Sequence, residues 1–198
     1  MVILASGSPR RKELLTQAGI EFSIITSDAD ETPTKTVPEE IVMELSKRKA
    51  EDVYDKVIKE GVFKTEEDNF IIAADTLVFF GQDRMGKPKD KADAVRMLRE
   101  LSDNVHDVIT GVTILHPVKG ELRTATFFEK TMVSVYKLSE EEIEAYVATG
   151  EPMDKAGAYA IQGYFGKYIK KIEGEYANVV GLPIARVYHE LKGLGYVR

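Results

Sequence analysis

Cysteine is absent from this 198-residue chain, which excludes disulfides, thiolate metal sites and a cysteine nucleophile. That fits a reducing compartment, and a cytoplasmic location is expected. No stretch approaches the roughly 20 apolar residues that a membrane span requires. Met1 leads directly into the apolar run Val2-Ile3-Leu4-Ala5, which has no basic n-region and is too short for a secretory signal. Basic residues do not predominate either: 27 Lys and Arg face 33 Asp and Glu, a net charge of −6. A general nucleic-acid surface is therefore not expected, and an anionic ligand would have to be met by local cations against that background. Histidine is scarce, and His106, His116 and His189 show no metal-ligand spacing. There is no internal repeat and no low-complexity tract.

Hydrophobic residues make up 43% and charged residues 30%, the balance of a soluble globular protein. The length suits one domain over residues 1–198 or two tightly joined lobes, large enough to bury about 70% of the unfolded surface. Val2 to Ala5 reads as a short buried strand, and Ser8-Pro9 as a helix N-cap with proline at the first helical position. That helix should stop at Gly19. Phe22 to Thr26 suggests a second strand, and Pro38 opens a long amphipathic helix with Ile41, Val42, Leu45, Val53, Tyr54 and Val57 at helical spacing. Lys64 to Asn69 is polar and reads as a loop.

Phe70 to Phe80 reads as a buried central strand. Asp90 caps a helix carrying Ala94, Val95, Leu98 and Leu101. Val108 to Val135 is β-like, with Lys119-Gly120 as its hairpin turn. Ser139 and Glu142 form a capping box, Gly150 ends the helix that follows, Tyr168 to Ile172 reads as a strand, and Pro183 starts a last helix. Helices and strands interleave without a strict βαβ rhythm, so an α/β fold with a mixed sheet is expected.

Four constellations carry chemistry. In Ala5-Ser6-Gly7-Ser8-Pro9-Arg10-Arg11 a strand runs into a small-residue turn and a helix start. Free amides there favour an anion, and arginine in a first turn opposes the helix dipole, a broken local rule. Arginine forks bind phosphate oxygens in bidentate fashion; the plainer alternative is a surface turn. Asp75 is an acid inside an apolar strand, followed by Thr76; it must be paired, bind metal, face a cleft or cap a neighbouring helix. Gly86 and Pro88 fix the backbone around Lys87, which points at phosphate or is merely a solvated turn. In Asp154-Lys155-Ala156-Gly157-Ala158-Tyr159-Ala160-Ile161-Gln162-Gly163 small residues let backbones approach, and the two-way amide of Gln162 suits a base edge. Glu31 and Lys49 read by composition as surface charges.

Together these segments resemble the Maf family of nucleotide pyrophosphatases. The match rests on Leu4 through Leu15, Ala74-Asp75-Thr76, Gly86-Lys87-Pro88 and Asp154 through Gly163, in the family's order and across nearly the whole chain. The resemblance implies a fold related to the inosine triphosphate pyrophosphatases, a long mixed sheet with a cleft between two lobes. It places the catalytic aspartate on Asp75 and the phosphate-side residues on Ser8, Arg10, Arg11, Lys49 and Lys87. Glu31 becomes a second acid, with Asp75, beside the metal, while substrate choice falls on Arg10, Thr76 and Gln162. The Lys-Ala-Gly-Ala-Tyr pattern looks like the dTTP/UTP branch; a sister branch carries glutamate near the Gln162 position. Leu77 is a minor departure where a β-branched residue is commoner.

The implied reaction is hydrolysis of dTTP and UTP to the monophosphate and pyrophosphate, assisted by a divalent metal cation, Mg2+ or Mn2+. The expected partner is a nucleoside triphosphate substrate, with no nucleic acid and no membrane; a homodimer is compatible with the chain. Two rivals stand beside this reading: a pyrophosphatase for modified or purine triphosphates, and a nucleotide-binding regulator of septum formation without turnover.

Overall fold

The computed structural model describes residues 1–63 and 68–197, so most of the loop expected at 64–69 lies outside the described residues. Among these residues seven strands form one mixed sheet, ordered β2-β1-β3-β5-β6-β7 with β4 beside β3. β1 (Val2–Leu4) runs parallel to both β2 (Ser23–Ile24) and β3 (Phe70–Phe80), with Ile3 opposite Ile71 and Leu4 opposite Ile72. A parallel strand held between neighbours is covered on both faces, and the unbroken apolar run Val2-Ile3-Leu4 is what that burial needs.

β4 (Asp83–Met85) folds back antiparallel on β3. β5 (Val105–Val118) and β6 (Glu121–Val135) are joined by Lys119 and Gly120 alone, at φ 50° and 80°. Two residues with positive φ make a tight hairpin turn and fix the pair as antiparallel. β7 (Ile169–Glu173) pairs antiparallel with β6, with a register irregularity between Ser134 and Val135.

Among the described residues six α-helices accompany the sheet: α1 (Pro9–Gln17), α2 (Pro38–Glu60), α3 (Lys91–Leu101), α4 (Glu140–Ala148), α5 (Tyr176–Val180) and α6 (Ile184–Gly193). α3 starts on Asp90, whose carboxylate accepts from the Asp93 amide, and α4 starts on the reciprocal Ser139/Glu142 box, so both caps stand as read. Ser8 occupies the N-cap position of α1, but its hydroxyl makes no capping hydrogen bond. In α3 the residue that turns inward is Met97 rather than Val95. No described helix is long and apolar enough to cross a membrane.

Contacts divide the chain into two compact units. The first comprises Met1–Asp75, Thr110–Glu129 and Gly181–Arg198; the second, Thr76–Ile109 and Lys130–Val180.

In the first unit α2 lies on one face of the sheet. Ala50, Val53 and Val57 pack against Ile3 and Ala5 of β1 and its extension, Ile71 and Ala73 of β3, and Leu115 of β5. Burying a valine fully is worth about 1.5–3 kcal/mol. The helix backbone approaches β5 so closely at Gly111 that a Cβ there would lie 2.2 Å from the Val42 carbonyl oxygen. One turn on, the Ser46 hydroxyl meets Thr113 Oγ1 at 3.0 Å, and Thr113 meets Thr126 at 3.1 Å.

The second unit packs α3 against α4 and against 3-10 turns at Glu151–Asp154 and Ala156–Ala158. Its aromatic core gathers Tyr146, Tyr159, Phe165 and Tyr168.

Candidate active site

Strand alternation decides where Asp75 points. Successive side chains on β3 face opposite sides, and Ile71 and Ala73 pack on α2, so Asp75 falls on the helix side and Thr76 on the other. Asp75 is 8% exposed. Lys49, one residue before the buried Ala50 of α2, reaches its Oδ1 at 2.5 Å. The same ammonium contacts Glu31 Oε1 at 2.8 Å. Lys49 is therefore no surface charge: only 14% of its side chain is exposed, against 70% for Glu31. Asp75 Oδ2 is buried and has no hydrogen-bond partner among the described residues. A carboxylate oxygen left bare in this way is costly, and such exceptions collect where chemistry is done.

Arg11 stands nearby. Its Nε donates to the Gly181 carbonyl at 2.8 Å and its Nη1 to Ser6 Oγ at 3.1 Å. Burial lowers the Arg11 pKa from the ordinary guanidinium value; Asp75 acts against that, Arg10 adds to it, and Glu31 opposes it again. Arg10, half-buried, follows Pro9 in the uncapped first turn of α1. The Ser8 amide is turned back to Ser6 Oγ at 3.2 Å.

Glu31 belongs to an exposed loop, and four residues of α2 grip that loop. They are Glu44, Arg48, Asp52 and Lys56, spaced every four positions and alternating in sign. Glu44 accepts from the Thr34 amide at 2.9 Å and hydroxyl at 2.5 Å. Arg48 donates to Thr32 O at 2.7 Å, Asp52 accepts from the Asp28 amide at 2.9 Å, and Lys56 donates to Thr26 O at 3.1 Å. The Thr34 hydroxyl bond leads in pulling the Glu44 pKa down to about 2. The i,i+4 alternation was a visible signal, but by itself it describes a solvated helix face.

The second unit holds Thr76, Lys87 and Gln162. Lys87 is exposed between half-buried Gly86 and buried Pro88. The Gly157 amide donates to Gly86 O at 3.1 Å, so the Gly86-Lys87-Pro88 and Asp154–Gly163 segments meet through backbone, although the bonded residues are far apart in sequence. Gln162 is exposed in a turn over residues 161–163. Tyr159, earlier in the same segment, is held by the buried His106, Nε2 to phenol oxygen 2.7 Å. Burial pushes the His106 pKa down to about 4. Glu151 and Tyr146 also hold this turn, and no feature of their sequence surroundings marks them.

His116 is structural, stacked on Phe70 with ring centroids 4.3 Å apart and its Nδ1 2.9 Å from Asn69 O. Among the described residues no three His, Asp or Glu converge as a metal cluster. A cation with hard oxygen preferences nonetheless fits Asp75 and Glu31, since the pair already attracts one positive charge, the Lys49 ammonium. Magnesium commonly takes only one or two protein carboxylates, the rest being phosphate oxygens and water.

The family described as Maf-like protein matches residues 1–194. A dTTP/UTP pyrophosphatase of Agathobacter rectalis is 50% identical over 199 aligned positions, covering 98% of this chain and 97% of the relative. Proteins of the same name from Lachnoclostridium phytofermentans and Bacillus anthracis are 48% and 46% identical, covering 98% and 96% of this chain and 95% and 94% of their own. With residues 1–194 matched and relatives 46–50% identical over nearly their whole length, the chain belongs to the Maf family.

Proposed function

We propose that this protein hydrolyses dTTP and UTP at the α–β phosphoanhydride, yielding the nucleoside monophosphate and pyrophosphate. The observation that carries the reading is the buried Asp75, clamped through Oδ1 by Lys49 and bare at Oδ2. Lys49 fixes the carboxylate's orientation, and Oδ2 is the acceptor for a proton. Water attacks the α-phosphorus, its proton passes to Asp75, the bond to the bridging oxygen breaks, and pyrophosphate leaves. The activity in the relatives' name, dTTP/UTP pyrophosphatase, supports the same reaction.

The charge that develops on pyrophosphate needs fixed cations. Arg10, Arg11, Lys49 and Lys87 take that role, with Ser8 and the first-turn amides of α1, to which the Ser8 hydroxyl makes no capping bond. Asp75 and Glu31 would hold a divalent cation, Mg2+ or Mn2+, which supplies charge neutralisation on the phosphate oxygens when bound. Gln162 reads the base edge, and Thr76 and Arg10 tune substrate choice. Gln162 donates and accepts at once, matching the carbonyl and N3–H edge common to uracil and thymine. Cytosine presents a different pattern, and a mismatched amide costs about 1–3 kcal/mol, a roughly ten- to hundredfold preference.

The test is pyrophosphate release from a panel of dTTP, UTP, CTP, ATP and GTP with Mg2+ or Mn2+, on wild type and Asp75→Asn. Release from dTTP and UTP is expected to lead the panel and to fall about 10²–10⁴-fold in the variant. No release from any triphosphate would leave a binder without turnover. A variant keeping more than a tenth of the rate would remove Asp75 from the chemistry.

A further inference from the structure

The turn that carries Gln162 is held from beneath by one carboxylate. Glu151 Oε2 accepts from the Tyr164 amide at 3.1 Å. Glu151 Oε1 accepts from the Tyr146 hydroxyl at 2.9 Å, and that phenol oxygen in turn receives the Ala160 amide at 3.4 Å. The two oxygens thus fix the backbone two residues before and two residues after Gln162. Tyr146 is fully buried, 0% exposed, and its ring packs on Phe165 with centroids 5.0 Å apart, so this anchor cannot swing. The Glu151 amide is tied to Thr149 Oγ1 at 3.1 Å, and that hydroxyl donates to Tyr146 O at 2.6 Å. Carboxylate, phenol and turn therefore form one closed unit.

Gly163 shows how close the carboxylate stands. Its φ of −98° is ordinary for any residue, so the backbone does not demand glycine. A Cβ, however, would lie 2.2 Å from Glu151 Oε1 and 2.5 Å from Cδ. A side chain at 163 would therefore have to displace the Glu151 carboxylate from its place under the turn.

We infer that Glu151 is a specificity-determining positioning residue, which sets pyrimidine selectivity by locking the turn in which Gln162 presents its amide. This rests on the proposed base-reading role of Gln162. Glu151 itself touches backbone and phenol. A base-reading amide discriminates only if its position is fixed to a fraction of an ångström. Two charge-assisted bonds supply that rigidity at a surface turn.

The experiment compares kcat/KM for UTP and CTP in wild type, Gln162→Ala, Glu151→Gln, Gly163→Ala and the Glu151→Gln/Gly163→Ala double variant. Glu151→Gln keeps one acceptor but sets an NH2 against the second donor. Gly163→Ala pushes the flexible carboxylate aside from the other direction and spares the Tyr146 core, so one of the two variants remains available if the other fails to fold. Each single variant is expected to lower the UTP/CTP ratio about tenfold, with the loss falling on UTP. The double variant should lose little more than either alone, because both break the same unit.

A fall in ratio for Gln162→Ala with the wild-type ratio in Glu151→Gln and Gly163→Ala overturns the inference and leaves base reading intact. Equal losses on UTP and CTP in those two variants also overturn it, since they mark a merely structural carboxylate. A wild-type ratio in Gln162→Ala overturns base reading itself, and the inference with it.

Discussion

Arg10 and Arg11 are adjacent in sequence, yet the structure gives them different work. Arg11 is tied to Gly181 O and Ser6 Oγ, so Arg11→Ala removes hydrogen bonds of a charged group worth about 1.5–3 kcal/mol. For a chain of this size that is a fall in Tm of roughly 5 °C, accompanied by loss of triphosphate turnover. Arg10→Ala should raise KM or lower kcat for triphosphate with Tm within about a degree of wild type. Calorimetry beside steady-state kinetics separates the two. Equal Tm losses would show that both arginines are structural.

His106 makes a pH signature at the same scale. Its folded pKa is depressed to about 4 by burial, from an ordinary 6.5. The neutral ring is the buried form, so the unfolded chain binds the proton first as pH falls. Stability from this group is complete above pH 6.5, declines between there and pH 4, and is roughly 3 kcal/mol lower below that. His106→Gln keeps a hydrogen-bonding group for Tyr159 and should lack this component. Urea midpoints across pH 4–7 measure it, and parallel curves for the two proteins would refute the assignment.

At the scale of elements, α2 does most to build the acidic site. Of the apolar stripe read in the sequence, Ile41, Val42, Leu45, Val53 and Val57 are buried while Tyr54 is only half-buried, and the buried Ala50 was not part of that reading. The charged ladder from Glu44 to Lys56 was visible as spacing, but its meaning lies in the backbone of residues 26–34, which no periodicity reports. The three-residue β4 and the five-residue α5 were missed for a simpler reason: each is too short to display a period. Ser8 was read as a cap because the residue type and Pro9 fit one. Whether a hydroxyl rotates onto an amide is decided by neighbours, and here the Ser8 side chain makes no such bond.

Gly111 tests how firmly α2 sets Lys49. In Gly111→Ala the new methyl meets the backbone of Val42 at 2.2 Å, and backbone cannot swing aside. The helix must shift, at a cost of about 3 kcal/mol, and Lys49 moves away from Asp75 with it. Urea denaturation should show the loss, and kcat should fall more than KM rises. A variant with wild-type stability would mean that α2 slides over β5 freely.

For the molecule as a whole, the testable consequence of the proposed cation is how firmly it would be held, since its protein ligands would be Asp75 and Glu31 alone. A cation on Asp75 and Glu31 would draw its remaining ligands from substrate and water. EDTA in excess should therefore stop turnover while leaving Tm unmoved, because such a weakly held ion adds little folding energy. Full activity in EDTA would remove the metal from the mechanism, and a large Tm loss would reveal a structural ion instead.

The sequence by itself determined the order of the main elements, the capped starts of α3 and α4, the Lys119-Gly120 hairpin and the four motif segments. Each of these rests on physics that acts over a few neighbouring residues: periodicity, capping and turn geometry. Tertiary structure alone decided that Lys49 joins Asp75 to Glu31, that Gly157 bonds to Gly86, and that Glu151 closes under Gly163. The first two link residues 18 to 71 positions apart, and the third lies 12 positions away across a helix-to-turn reversal. Side chains so separated meet only after the sheet has set the path of the backbone, and no local pattern records which partner a charge or a small residue will find.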